Sequence, residues 1–226
     1  MRQQISLLND KVELEKNLSK SVLTTIKSQM NPHFFYNALN TIQAYIFTND
    51  KEKANTYLVK FSKLTRIVLE MSEKETVALH EEINSIKIYL DLEKMRFQEN
   101  FDYVINIDEE VDTDLLEIPP MLIQPYLENA IKHGLLHRSG RKTLNLTFQV
   151  EEERLKITVD DNGIGRAQAE AIKARRNIQH QSFASKANEK RIEILNQMND
   201  HKIYINIVDK YNAEQKAEGT RVELFI

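Results

Sequence analysis

The sequence predicts an α+β protein: a helical hairpin in the N-terminal half, then an α/β sandwich with a mixed sheet. Two observations carry this. Residues 1–100 hold one proline and no glycine, whereas all five glycines lie between Gly134 and Gly219. Apolar residues recur at helical spacing before residue 100 and mostly alternate after it. The boundary between the halves falls near residue 100.

Bulk properties narrow the class. The 226 residues are 41% hydrophobic and 29% charged, as in a folded, soluble chain. A net charge of -3 does not favour direct nucleic-acid binding. The absence of cysteine excludes disulfides, thiolate zinc sites and cysteine nucleophiles. No apolar run approaches the roughly 20 residues that span a bilayer, and the N-terminus lacks the apolar core of a signal peptide.

Residues 1–30 favour helix, with Leu8, Val12, Leu18, Val22 and Ile26 near heptad spacing. A signal-transmitting coiled coil over 1–28 and an ordinary solvated helix both fit. At Asn31-Pro32-His33-Phe34-Phe35-Tyr36-Asn37 the proline kinks or restarts the helix. Beyond it, Phe35, Leu39, Ile42 and Ile46 form one apolar face. His33 lies roughly 160° from Phe35 on a helical wheel, on the polar side with Asn37 and Asn40. Asp50 suits an N-cap for a second helix carrying Ala54, Leu58, Phe61 and Val68. A short connection makes the two antiparallel, and pairing of two hairpins into a four-helix bundle would bury their apolar faces. A third helix, about His80 to Phe97, presents Ile83, Ile86, Leu90 and Phe97.

The C-terminal half alternates at Phe101, Tyr103, Ile105 and Ile107; at Leu144, Leu146, Phe148 and Val150; and at Leu155, Ile157 and Val159. Ile203, Ile205 and Ile207, then Val222, Leu224 and Ile226, repeat the pattern. Helices are expected at about Pro120 to Leu136, Arg166 to Arg175 and Asn188 to Asn199, all on one face of the sheet.

Two motifs here carry chemistry. In Glu128-Asn129-Ala130-Ile131-Lys132-His133-Gly134 the apolar residues take the buried face and leave Glu128, Asn129, Lys132 and His133 available. An amide oxygen suits Mg²⁺, and a lysine three residues on reaches phosphate from the same side. His133 equally suits the C-terminal end of its helix. In Asp160-Asp161-Asn162-Gly163-Ile164-Gly165 an aspartate ends a strand, where it can accept from an exocyclic amine such as that of adenine; alone, the run also fits a strand-exit turn. Gly219-Thr220 before the last strand makes the combination more specific.

Together these residues resemble the LytS/YehU-type sensor histidine kinases. Asn31 to Asn37 matches their N-P-H-F-x-x-N signature, and Glu128 to Gly134 the N box of GHKL-type ATP-binding domains. Asp161, Gly163 and Gly165 match D-x-G-x-G, and residues 118–125 look like the family's lead-in to the N-box helix. The resemblance implies a signalling helix over 1–28, dimerisation and phosphotransfer helices over 29–99, and a GHKL catalytic domain over 100–226. It implies that His33 is the phosphoacceptor and Asn37 its polar neighbour. Asn129 would hold Mg²⁺, Lys132 and His133 would sit near the phosphates, and Asp161, Gly163, Gly165 and Thr220 would line the adenine site. Glu128 is a candidate base, but it adjoins Asn129, and Pro125 holds the place of the ATPase glutamate, so the general base is unassigned. Phe34 follows His33 where many histidine kinases carry an acid, and Ala184 stands in the lid region, about 166–187, where glycine is common.

The function so implied is ATP- and Mg²⁺-dependent autophosphorylation of His33, then phosphotransfer to a response-regulator aspartate. The partners implied are a second copy of the chain and a regulator of LytTR type. The chain would be the cytoplasmic part of a membrane-bound sensor, joined to the membrane by helices before Met1. Two other functions fit parts of the pattern: a GHKL ATPase switch, and an impaired pseudokinase acting as a binding module.

Overall fold

A computed structural model describes residues 32–175, 183–198 and 202–226. The expectations for residues 1–28, for Asn31, for the side chains of His33 and Ala184 and for lid residues 176–182 lie outside what is described.

Two helices open the fold, α1 (Pro32–Phe47) and α2 (Lys51–Met71). Pro32 stands at the start of α1, where its missing N–H costs no helical hydrogen bond. Asp50 caps α2: its carboxylate accepts the Lys53 N–H at 3.1 Å and pairs with the Lys53 ammonium at 2.9 Å. The helices run antiparallel, with Phe35 against Phe61 (ring centroids 5.4 Å apart) at one end and Tyr45 against Tyr57 (6.4 Å) at the other.

A third helix, α3 (Leu79–Phe97), lies parallel to α1. Phe34 stacks 5.5 Å from Tyr89, and the Tyr45 hydroxyl donates to the Met95 carbonyl at 2.7 Å. Within one chain this contact buries only part of the expected apolar face. Ala38 and Tyr45 are buried, with Phe34 and Ile42 packed beside them, whereas Leu39 is 59% and Ile46 63% exposed. α1 meets α3 as well as α2, so its contact strip is turned away from Leu39 and Ile46.

Strands β1 (Val77–Ala78) and β3 (Glu117–Ile118) form a small antiparallel pair. The main sheet orders β2 (Phe101–Ile107), β4 (Lys142–Glu151), β5 (Arg154–Asp161), β7 (Ala217–Phe225) and β6 (Tyr204–Tyr211). β2 and β4 are parallel and the other neighbours antiparallel, so the sheet is mixed as expected. Leu144, Leu146, Phe148, Ile157, Val159 and Leu224 are buried on one face. The other face is polar: Asp160 meets Lys210 and Arg221, and Lys156 sits 2.7 Å from Glu151. That alternation is why the helices cover one side only.

α4 (Gln124–Asn129) continues into a π-helical stretch, Ala130–Leu135, that packs on β4, β5 and β7. It begins four residues later than expected because Met121, following two prolines, takes φ 57°, which a right-handed helix does not allow. Helices α5 (Arg166–Arg175) and α6 (Phe183–Met198) complete the order. No helix among the described residues is long and apolar enough to cross a membrane.

Candidate functional site

The site is built around the end of β5. Asp161 is 3% exposed, and its Oδ1 accepts the Gly163 N–H at 2.7 Å. Glycines close around it. A Cβ on Gly163 would stand 2.4 Å from the Gly134 Cα, and one on Gly219 would stand 2.0 Å from the Asp161 carbonyl oxygen. Gly219 also has φ 129°, a conformation that L side chains rarely adopt. So the N-box helix, the loop after β5 and the start of β7 pack backbone to backbone, which no larger residue permits.

Hydrogen bonds lock this arrangement. The Ile164 N–H donates to the Gly134 carbonyl at 3.2 Å. The Asn162 Oδ1 accepts the Thr143 N–H at 2.8 Å, pinning the loop to β4. Lys210 binds the Asp160 carboxylate and donates to the Asp161 carbonyl at 3.0 Å. Thr220 pairs opposite Asp161 across the β5–β7 ladder. Burial pushes the Asp161 carboxyl up to about 6; backbone N–H groups of Gly163 and Thr220 and the Lys210 charge pull the other way. A buried carboxylate that ionises near neutral pH can accept from an uncharged N–H donor such as an exocyclic amine.

The N-box helix has two working sides. Asn129 and His133, four residues apart, are both half-buried. Glu128 and Lys132 make the neighbouring strip, and both line a small cavity against α1. Asn37 lines the same cavity, so the structure brings Asn37, Glu128 and Lys132 together. The Leu136 N–H reaches the Ile131 carbonyl at 2.8 Å, five residues back; such π-helical turns recur at functional sites. Among the described residues no three His, Cys, Asp or Glu side chains cluster so as to hold a metal ion.

Sequence reasoning missed several residues that shape the site. Glu82, on α3, accepts the Met121 N–H at 2.8 Å. Arg191, on α6, donates to the Pro120 carbonyl at 2.5 Å and the Met121 carbonyl at 3.2 Å. The Asn188 amide donates to the Tyr126 hydroxyl at 2.7 Å. Glu93 and Arg96 pair at 2.5 Å and line the Asn37 cavity. The available signal was Glu82 and Glu93, charges eleven residues apart on the side of α3 that carries the buried Ile86 and Tyr89.

Comparisons with known proteins find relatives of this chain. A family model described as histidine kinase matches residues 21–101. The chain is 36% identical over 154 residues to the sensor protein LytS of Staphylococcus haemolyticus, covering 68% of this chain and 26% of that one. It is 33% identical over 150 residues to the sensor protein LytS of Enterococcus faecalis, covering 66% of this chain and 25% of that one. The chain thus spans about a quarter of the length of these curated relatives. Among solved structures, the histidine kinase domain of the Erythrobacter litoralis EL346 blue-light activated histidine kinase aligns over 93% of this chain and 95% of that one, with a TM-score of 0.47 and 15% identity. The sequence matches place the chain in the family of LytS-type sensor histidine kinases.

Proposed function

We propose that this chain is the catalytic core of an ATP-dependent protein-histidine kinase that phosphorylates His33 and passes the group to a response-regulator aspartate. The observation that carries this reading is the double placement of the N-box helix. One end meets Asp161 inside a glycine-lined wall, and its Glu128–Lys132 strip faces the helix that bears His33.

Each residue has a role in this reading. Asp161 accepts the adenine amine, with Gly163, Gly165 and Thr220 shaping the pocket around the ring. Lys132 and His133 meet the phosphates. The Asn129 amide oxygen is a hard donor on a half-buried helix position, which fits Mg²⁺, an ion that takes few protein ligands and bridges phosphates. When bound, the ion neutralises charge on the transferring group. The His33 imidazole attacks in line: the bond from the γ-phosphorus to ADP oxygen breaks, a phosphorus–nitrogen bond forms, and the ring proton leaves. Asn37, one turn on, stands where it can orient the group or a water.

The exposed apolar side of α1 and α2, including Leu39, Ile46 and Phe47, is where a second copy would pack into a four-helix bundle. The natural setting proposed is the cytoplasmic face of a membrane-bound sensor, with a LytTR-type regulator as acceptor, by analogy with the family.

The test is incubation with γ-labelled ATP and Mg²⁺. The expected result is acid-labile, alkali-stable label that disappears in His33→Gln. Steady hydrolysis that survives His33→Gln would replace the kinase with an ATPase, and absence of nucleotide binding would leave only a binding module.

A further inference from the structure

We propose that Glu93 and Arg96 are positioning residues that seat the phosphoacceptor helix on the ATP-site helix of its own chain, so that His33 takes its phosphoryl group in cis. The proposal rests on the kinase reading above and adds to it which chain supplies the ATP site and what holds the two helices together.

The cavity between α1 and the N-box helix has walls from three places in one chain. Asn37 comes from α1, Tyr89, Glu93 and Arg96 from α3, and Glu128 and Lys132 from the N-box helix. Two contacts bracket Asn37 along α1. On one side the Phe34 ring lies 5.5 Å from Tyr89; on the other, the Tyr45 hydroxyl donates to the Met95 carbonyl at 2.7 Å. α1 is therefore fixed to α3 on both sides of Asn37 along the helix. His33 precedes Asn37 by one helical turn, a rise of about 6 Å. No partner subunit is needed to bring the two functional helices side by side.

α3 also brings a charged pair to the wall of this cavity. Glu93 is 4% exposed, and Arg96 reaches its carboxylate at 2.5 Å while its guanidinium lies 4.6 Å over the Phe97 ring. Burial raises the Glu93 carboxyl pKa, and Arg96 opposes the rise. Taking such a pair out of water costs about as much as its attraction returns, so an apolar pair of equal size would serve stability as well or better. What the pair supplies instead is a donor at the cavity: the Arg96 Nε is buried without a hydrogen-bond partner among the described residues, in a side chain that lines the cavity with Asn37. Tyr89 lines the cavity together with both sides. After burial, its pKa is raised by Glu93 and by Glu128 and lowered by Arg96, so the N-box glutamate and the α3 pair act on one group.

The experiment uses two tagged versions of the protein, His33→Gln and Asn129→Ala, co-expressed and purified through both tags. Transfer in cis leaves neither chain competent, so the mixed pairs stay unlabelled by γ-labelled ATP. Label returning to the Asn129→Ala chain overturns the proposal. If the two tags never co-purify, the wild-type labelling rate per chain decides: independence of dilution supports cis transfer, and a rate falling with dilution overturns it. In the same assay Arg96→Ala is expected to slow His33 labelling at saturating MgATP by about tenfold or more. Its nucleotide Kd should stay within about twofold of wild type, and Arg96→Lys, which can keep the ion pair, should recover part of the rate. Rate and affinity falling together, or an unchanged rate, would remove the positioning role. A wild-type protein that binds MgATP yet leaves His33 unlabelled would sink the kinase reading instead. Hydrogen exchange then judges the seating alone: amides of α1 from Asn37 to Tyr45 should exchange faster in Arg96→Ala, and unchanged exchange would refute it.

Discussion

Glu82 and Arg191 hold Met121 from opposite sides. The Glu82 carboxylate accepts the Met121 N–H at 2.8 Å, and the Arg191 guanidinium donates to the Met121 carbonyl at 3.2 Å. Met121 belongs to the turn that leads into the N-box helix, and this turn is buried without a sheet or helix ladder of its own. Buried backbone groups must be paired, and here α3 supplies the acceptor and α6 the donor. The entry angle of the helix from Gln124 is thus set by a carboxylate and a guanidinium contributed from more than 30 residues away on either side.

Removing either partner should be costly. Glu82→Ala leaves N–H groups and a buried cation uncompensated, and we expect a loss of about 3 kcal/mol, read from the urea midpoint. The pH dependence has a definite sign. Burial, opposed by backbone N–H groups and Arg191, pushes Glu82 from 4.5 up to about 7. The folded state therefore holds its proton more tightly than the unfolded chain. The resulting stabilisation, on the order of 3 kcal/mol, is full below the unfolded value and is lost as pH rises through about 7. Urea midpoints should fall between about pH 5 and pH 8, and Glu82→Gln should flatten that slope; a midpoint that climbs over this range in wild type contradicts the assignment.

ATP affinity should follow the ionisation of Asp161. With its carboxyl raised by burial to about 6, the acceptor form is lost as pH falls through that value. Nucleotide affinity is expected to weaken by about tenfold per pH unit below it, apart from protonation of the nucleotide itself. Titration calorimetry of wild type against Asp161→Asn checks this: the variant should bind weakly at every pH and lose the dependence.

Two glycines should tolerate nothing larger. Gly163→Ala would place its methyl against Gly134, and Gly219→Ala against the Asp161 carbonyl. Each should cost at least about 2 kcal/mol of stability and nearly all nucleotide binding. By contrast, Gly140→Ala meets no atom within 4 Å, although its φ of 84° adds some strain. It should bind nucleotide like wild type. Equal behaviour of all three would mean that the glycine wall is not what shapes the site.

The exposed apolar side of the hairpin should govern association. Leu39 is 59% and Phe47 80% exposed, and hydrophobic area of that kind is commonly covered by a partner. The double change Leu39→Glu and Phe47→Glu should turn a dimer into a monomer by light scattering, with the thermal midpoint of the sheet domain unchanged. A wild-type protein that is monomeric at all concentrations would refute this.

The sequence by itself determined the longer elements and their order, but not the two-residue strands β1 and β3. Alternation at Leu144, Leu146 and Phe148 and at Leu155, Ile157 and Val159 predicted strands that bury one face, because the period of a strand is two residues and each side chain meets only one side. Asp50 marked the start of α2 and the glycine spacing marked the loop after β5, since capping and tight turns are local chemistry. Tertiary structure decided the rest. The buried face of α1 turned toward Ala38 and Tyr45 because α3 packs beside α2, a contact no helical wheel contains. The helix expected from Pro120 starts at Gln124 because the prolines and Met121 make a turn that only Glu82 and Arg191 can satisfy. Asn37, Glu93, Arg96 and Glu128 come to one cavity from positions spread over about 90 residues. Periodicity reports which side of an element is apolar; which element it meets depends on the long-range path of the chain, and the pairing of distant charges follows from that path alone.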